Sequence, residues 1–77
     1  MTEYTLMKEI GGNIRYMMED ANMNQKELAK ASGLTEAAIS RYVNGERIPT
    51  IASLLRLAYA LCCEVDDLII WDGEYIE

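Results

Sequence analysis

Gln25-Lys-Glu-Leu-Ala-Lys-Ala-Ser-Gly-Leu-Thr-Glu-Ala-Ala-Ile-Ser-Arg-Tyr-Val-Asn-Gly45 is the stretch whose reading decides the fold. Asn24, just before it, is a capping residue. Glu27 three positions later completes the reciprocal pattern in which each side chain serves the other's backbone amide. Leu28 and Ala29 then face inward, and the segment stops at Gly33, a residue free to take positive φ. Thr35 caps the next helix, whose apolar side is Ala38, Ile39, Tyr42 and Val43. Asn44-Gly45 closes it. The pattern is two short helices joined by a tight turn, with small Ala29 permitting close approach and Leu28, Leu34 and Ile39 locking the pair.

Outward from this centre, the chain is helical in pattern, with no stretch alternating at period two. Leu6, Ile10, Ile14, Met17, Met18 and Ala21 form one stripe, which predicts a first helix from about Thr5. Gly11-Gly12 costs it roughly 1 kcal/mol per glycine against alanine, so its early part is expected to fray. Asn22 suits the left-handed position that ends a helix. Beyond Pro49, the sequence predicts a fourth helix from Thr50 to about Leu61, with Ile51, Leu54, Leu55, Ala58 and Leu61 inward. A short fifth helix is predicted from about Val65 to Ile70, with Asp66 and Asp67 near its positive end. Residues 71–77 form a short acidic, aromatic tail whose conformation is not readable.

Seventy-seven residues make one domain, with a core expected over about 6–70. No apolar run is long enough to cross a bilayer, and no basic segment precedes one as in a secretory signal. The expectation is a soluble, cytoplasmic protein with no membrane partner. The adjacent cysteines, Cys62 and Cys63, cannot staple distant parts of a fold, and histidine is absent. They read as ordinary, partly buried thiols at a helix end, in a reducing compartment. Without histidine, an activated nucleophile, metal-ligand spacing or a phosphate-binding glycine loop, the sequence offers no catalytic site, no metal site and no cofactor.

The net charge is −6, which opposes binding to a polyanion. Its distribution changes that conclusion. Residues 1–23 carry −2, residues 24–48 carry +1 and residues 49–77 carry −5. The two-helix segment is thus the only net-positive part, and the local field at a contact surface matters more than the total. A helix standing proud after a tight turn fits a major groove about 12 Å wide.

At these residues the chain resembles the Cro/CI-type (XRE-like) helix-turn-helix family, the phage-repressor-like DNA-binding domains. The resemblance spans roughly residues 10–70. It rests on Gln25, Leu28-Ala29, Ser32-Gly33-Leu34-Thr35, Ile39-Ser40, Asn44-Gly45 and Arg47-Ile48-Pro49-Thr50, with Leu54-Leu55, Ala58 and Asp67-Leu68 further on. It implies an all-α, five-helix domain with the helix-turn-helix at helices 2 and 3. The implied function is that of a sequence-specific transcriptional regulator, a repressor, which inserts helix 3 (about 35–44) in the major groove of double-stranded DNA.

The resemblance nominates Glu36, Ala37, Ser40 and Arg41 as base-facing, and Gln25, Thr35, Asn44 and Arg47 as residues that set register on the backbone. Chemistry separates their roles. Arg41 can donate two hydrogen bonds to guanine O6 and N7, Glu36 can accept from a cytosine amino group, and Ala37 can touch a thymine methyl. Ser40 can bond to base or phosphate. Gln25 and Asn44 fit phosphates through helix-end groups, and Arg47 fits a phosphate from the following loop. Lys26 and Lys30 read equally well as solvated charges, and Arg15 is open between the two roles.

Two positions depart from the family pattern. Many relatives place an arginine late in the first helix and a glutamate just before Asn-Gly, as a partly buried ion pair. Met18 and Val43 stand there instead, so both partners are apolar together and no charge is stranded. Cys62 stands where relatives often end the fourth helix with glycine, which implies mild backbone strain. A homodimer on an inverted repeat is the expected assembly, because one recognition helix reads only a few base pairs. Ile69, Ile70, Trp71, Tyr75 and Ile76 are the candidate self-association surface, or else fold back on the core. Two alternatives compete: an antitoxin-like repressor that also grips a protein partner, and a protein-interaction module that has lost DNA binding.

Overall fold

The computed structural model describes residues 2–70. Helix α1 spans Glu3–Asp20, α2 Gln25–Ser32, α3 Glu36–Val43 and α4 Ile51–Leu61, followed by a single 3-10 turn at Val65–Asp67. The fifth helix predicted over 65–70 is therefore reduced to that turn. Its chemistry explains the early stop. The Asp67 carboxylate accepts from the Glu64 amide at 2.9 Å, and the Asn13 side chain donates to the Leu68 carbonyl at 3.0 Å. With that carbonyl engaged by α1 and Leu68 fully buried, the chain is tied down rather than wound onward.

Each of the four helices begins on a side-chain cap. Thr2 accepts from the Thr5 amide, which starts α1 two residues earlier than its apolar stripe suggested. Asn24 and Glu27 form the expected capping box, at 2.7 and 2.9 Å. Thr35 accepts from Ala38 N and Thr50 from Ser53 N, both at 3.0 Å. Three helices end in the same double amide return, with a left-handed residue at the exit. At α1 that residue is Asn22, with Asn22 N donating to Glu19 O and Met23 N to Met18 O. At α3 it is Gly45, and at α4 it is Cys62 with φ 55°, ψ 42°. α2 closes more simply, through the amide of left-handed Gly33 onto Ala29 O.

The core is built where α1 packs on α3, α2 on α3 and α4 on α2. Ile10, Ile14, Leu28, Ile39, Leu57 and Leu68 are fully buried, joined by Met18, Ala29, Tyr42, Val43, Leu54, Ala58 and Leu61. Leu34 is half-buried against this cluster. Met18 and Val43, the positions of the missing ion pair, both lie inside it.

Three expectations about packing need correction. Gly11 does not fray α1; it is buried at the crossing with α3. Ala21 is exposed, past the last helical residue. The inward face of α4 is Ser53, Leu54, Leu57, Ala58 and Leu61, whereas Ile51 and Leu55 are 78% and 57% exposed. The helix is rotated by one row, which places Ser53 inside. That is tolerable because the serine hydroxyl has partners: Tyr42 Oη donates to it at 3.4 Å, and the Thr50 hydroxyl lies 3.1 Å away.

Candidate nucleic-acid interface

The turn between α2 and α3 is short because two residues close it from opposite sides. Gly33 takes φ 78°, which reverses the chain without a Cβ clash, and the Ser32 hydroxyl accepts from the Leu34 amide at 3.3 Å. Thr35 then starts α3 immediately. One side of α3 (Ile39, Tyr42, Val43) is sunk in the core, which fixes the rotation of the helix about its own axis. At 100° per residue, positions 36, 37, 40, 41 and 44 fall within an arc of about 140° on the opposite side.

The structure brings the nominated residues of α3 onto one outward face. Glu36, Ala37, Arg41 and Asn44 are exposed, and Ser40 is half-buried beside them. Thr35 is exposed, but its hydroxyl is committed to capping α3. Gln25 opens α2 and is half-buried, and Arg47 is exposed just beyond α3. Lys26 and Lys30 are exposed on α2. Asn44 is more committed than its sequence position implied. Its side-chain amide donates to the Ser40 hydroxyl and accepts from Arg15, each at 3.4 Å.

Sequence reasoning missed the contribution of α1. Lys8 Nζ donates to Asn44 O at 3.0 Å, and Arg15 Nη2 donates to Val43 O at 3.2 Å. Lys8, Gly11 and Arg15 recur at spacings of three and four, the signature of one helical face, and the two cations bracket the glycine at the crossing. That spacing was the available signal. Among the described residues no three His, Cys, Asp or Glu side chains gather as a metal-binding group, and no helix is long and apolar enough to cross a membrane.

Residues 13–74 match the model of the Cro/C1-type HTH DNA-binding domain. The chain belongs to that family. It is similar to the HTH-type transcriptional repressor RghR of Bacillus subtilis (strain 168). The two are 36% identical over 72 residues, which cover 92% of this chain and 53% of that protein. The chain thus spans about half the length of this relative. Among solved structures, it resembles the restriction-modification controller protein C.AhdI from Aeromonas hydrophila. There the TM-score is 0.79 at 27% identity, covering 82% of this chain and 96% of that one. The clp gene regulator ClgR from C. glutamicum superposes with a TM-score of 0.76 at 25% identity, covering 82% of each chain. The chain thus carries a Cro/C1-type HTH DNA-binding domain, and the relatives it resembles are described as a transcriptional repressor, a controller protein and a gene regulator.

Proposed function

We propose that this chain is a sequence-specific repressor that lays α3 in the major groove of double-stranded DNA and works as a homodimer on an inverted repeat. The observation that carries the reading is the two-sidedness of α3. Ile39, Tyr42 and Val43 anchor one side while Glu36, Ala37, Arg41 and Asn44 stand exposed on the other, directly after a tight turn. Base contacts come from Glu36, Ala37, Ser40 and Arg41. Gln25, Thr35, Asn44 and Arg47 fix register on the sugar-phosphate backbone. RghR, by its description a transcriptional repressor, supports the sign of regulation.

The dimer follows from arithmetic: a helix of eight residues reads too few base pairs to pick out one site, and a two-fold pair spaced by about 34 Å doubles the reading. Exposed Ile51, Leu55 and Tyr59 on α4, with Ile70, supply apolar surface for self-association. The tail from Trp71 onward, the other candidate for that surface, lies outside the described residues.

Selection of bound sequences from a random DNA pool by the purified chain tests the whole reading. An enriched inverted repeat is expected. Enrichment of a single half-site would remove the dimer. No enrichment at all, with capture instead of a specific protein co-expressed from the neighbouring gene, would favour a protein-interaction module.

A further inference from the structure

Where the last carbonyls of α3 find their partners assigns a role to two residues outside the helix-turn-helix. The C-terminal turn of any helix leaves carbonyl groups without intrahelical donors. In α3, Ser40 O receives the Asn44 amide, Tyr42 O the Gly45 amide and Arg41 O the Glu46 amide. Val43 O and Asn44 O have no such amide in the turn, and they are the two that receive Arg15 and Lys8 from α1.

Both cations are exposed, yet each makes further contacts. The Lys8 ammonium sits 5.4 Å from the centre of the Tyr4 ring, and its stem lies against Gly45, where an added Cβ would stand 2.5 Å from Lys8 Cδ. Arg15 Nη2 reaches both Val43 O and Asn44 Oδ1, so it also holds the side chain of a residue on the outward face. Positive charge at this place complements the negative end of the α3 dipole. Arg56 repeats the device for α2, donating to Ser32 O at 3.5 Å. Of the seven Lys and Arg residues, these three donate into helix ends. All seven are exposed, and the other four, Lys26, Lys30, Arg41 and Arg47, lie within residues 24–48.

We propose that Lys8 and Arg15 are positioning residues: they clamp the C-terminal end of α3, and so set the angle of the recognition face, instead of binding phosphate. The clamp is a polar tie between α1 and α3, which also share the apolar core that holds Met18 and Val43. Its consequence for DNA rests on α3 being the recognition helix; the clamp itself does not.

The test uses the full chain with Arg15→Met and Lys8→Met, read in two ways. In the free protein, amide hydrogen exchange of Asn44, Gly45 and Glu46 is expected to speed up on the order of tenfold in each variant, as the loss of one charge-assisted hydrogen bond implies. The amides of Leu57 and Ala58 should keep their protection. On DNA, the ratio of preferred-site to non-specific binding should fall while the salt dependence stays that of the parent. Unchanged exchange with a salt slope shallower by about 0.9 per bound subunit would make the residue a phosphate ligand and overturn the proposal. Acceleration at every amide, Leu57 included, would overturn it in favour of general support of the fold. Should Arg15→Met not fold, Lys8→Met carries the same two readings, since its bond is to Asn44 O alone. A parent chain that binds no DNA would sink the repressor reading and leave the exchange measurement to decide the clamp.

Discussion

Gly11 and Tyr42 meet so closely across the α1–α3 crossing that a Cβ at position 11 would stand 2.5 Å from the Tyr42 carbonyl oxygen and 2.9 Å from that of Val43. Both atoms are backbone, so no side chain can swing away. At Gly12, its neighbour, a Cβ would have nothing within 4 Å. The two glycines therefore cost the helix the same intrinsic propensity and differ wholly in what they allow.

Gly11→Ala is expected to destabilise the domain by about 1–3 kcal/mol, because α1 must shift off α3. Gly12→Ala should stabilise it by about 0.5–1 kcal/mol, through reduced freedom of the unfolded chain. Thermal melts of the two variants read both effects, at roughly 4–8 °C per kcal/mol for a domain of this size. Opposite signs at neighbouring positions make the pair a sharp test; two stabilising substitutions would mean that α1 and α3 do not cross closely at Gly11.

That contrast shows which parts of the fold were legible in the sequence. Local devices were. Asn24 with Glu27, Thr35, Gly33 and Gly45 each act through bonds to residues three to five positions away, so type and spacing suffice to find them. Contacts between distant helices were not. Nothing in the order Gly11-Gly12 says which of the two faces Tyr42. The rotation of α4 was misjudged for a similar reason: Leu55 and Leu57 are equal in hydrophobicity, and Ser53 can be buried only because Tyr42 and Thr50, one of them distant, satisfy its hydroxyl. The outward face of α3 was legible because Ile39, Tyr42 and Val43 declare the inward one. The bonds from Lys8 and Arg15 to its far end were not, since they span 36 and 28 positions.

Met18 and Val43 offer a second test of packing. Both are buried in the same cluster, 7% and 5% exposed. Met18→Arg alone or Val43→Glu alone places an unpaired charge in that cluster and is expected to cost several kcal/mol. The double variant should cost less than the sum, because the two charges compensate each other. Melts of the two singles and the double measure the coupling. Strictly additive losses would show that the side chains do not meet.

Cys62 ends α4 in the left-handed region, at φ 55°, a conformation that costs a side chain roughly 1 kcal/mol. The residue is exposed, so little packing would be lost with its thiol. Cys62→Gly is expected to raise stability by about 1 kcal/mol, measured by urea unfolding with an unchanged slope. The neighbouring thiol is separable by chemistry. Burial, with Asp67, Glu64 and Cys62 nearby, pushes the Cys63 thiol up from its usual range, which leaves little thiolate near neutral pH. Alkylation at pH 8 should therefore mark exposed Cys62 first. Faster labelling at Cys63 would contradict its placement.

Arg41 and Arg47 carry the same charge six positions apart, yet the structure gives them different surroundings. Arg41 lies on the outward face of α3, between Ala37 and Asn44, while Arg47 lies in the loop past Gly45. In the proposed complex the first reaches base edges and the second reaches the sugar-phosphate backbone. Arg41→Ala should then cost about 1–3 kcal/mol on the preferred site and relax selectivity at one base pair in each half-site. Arg47→Ala should weaken all sequences alike and flatten the dependence of binding on salt by about 0.9 in log–log slope per contact. Binding curves on the preferred site, on variants of it at each position, and at several salt concentrations separate the two effects. If both substitutions weakened every sequence equally and flattened the salt dependence alike, Arg41 would be a phosphate ligand, and base reading would fall to Glu36, Ala37 and Ser40.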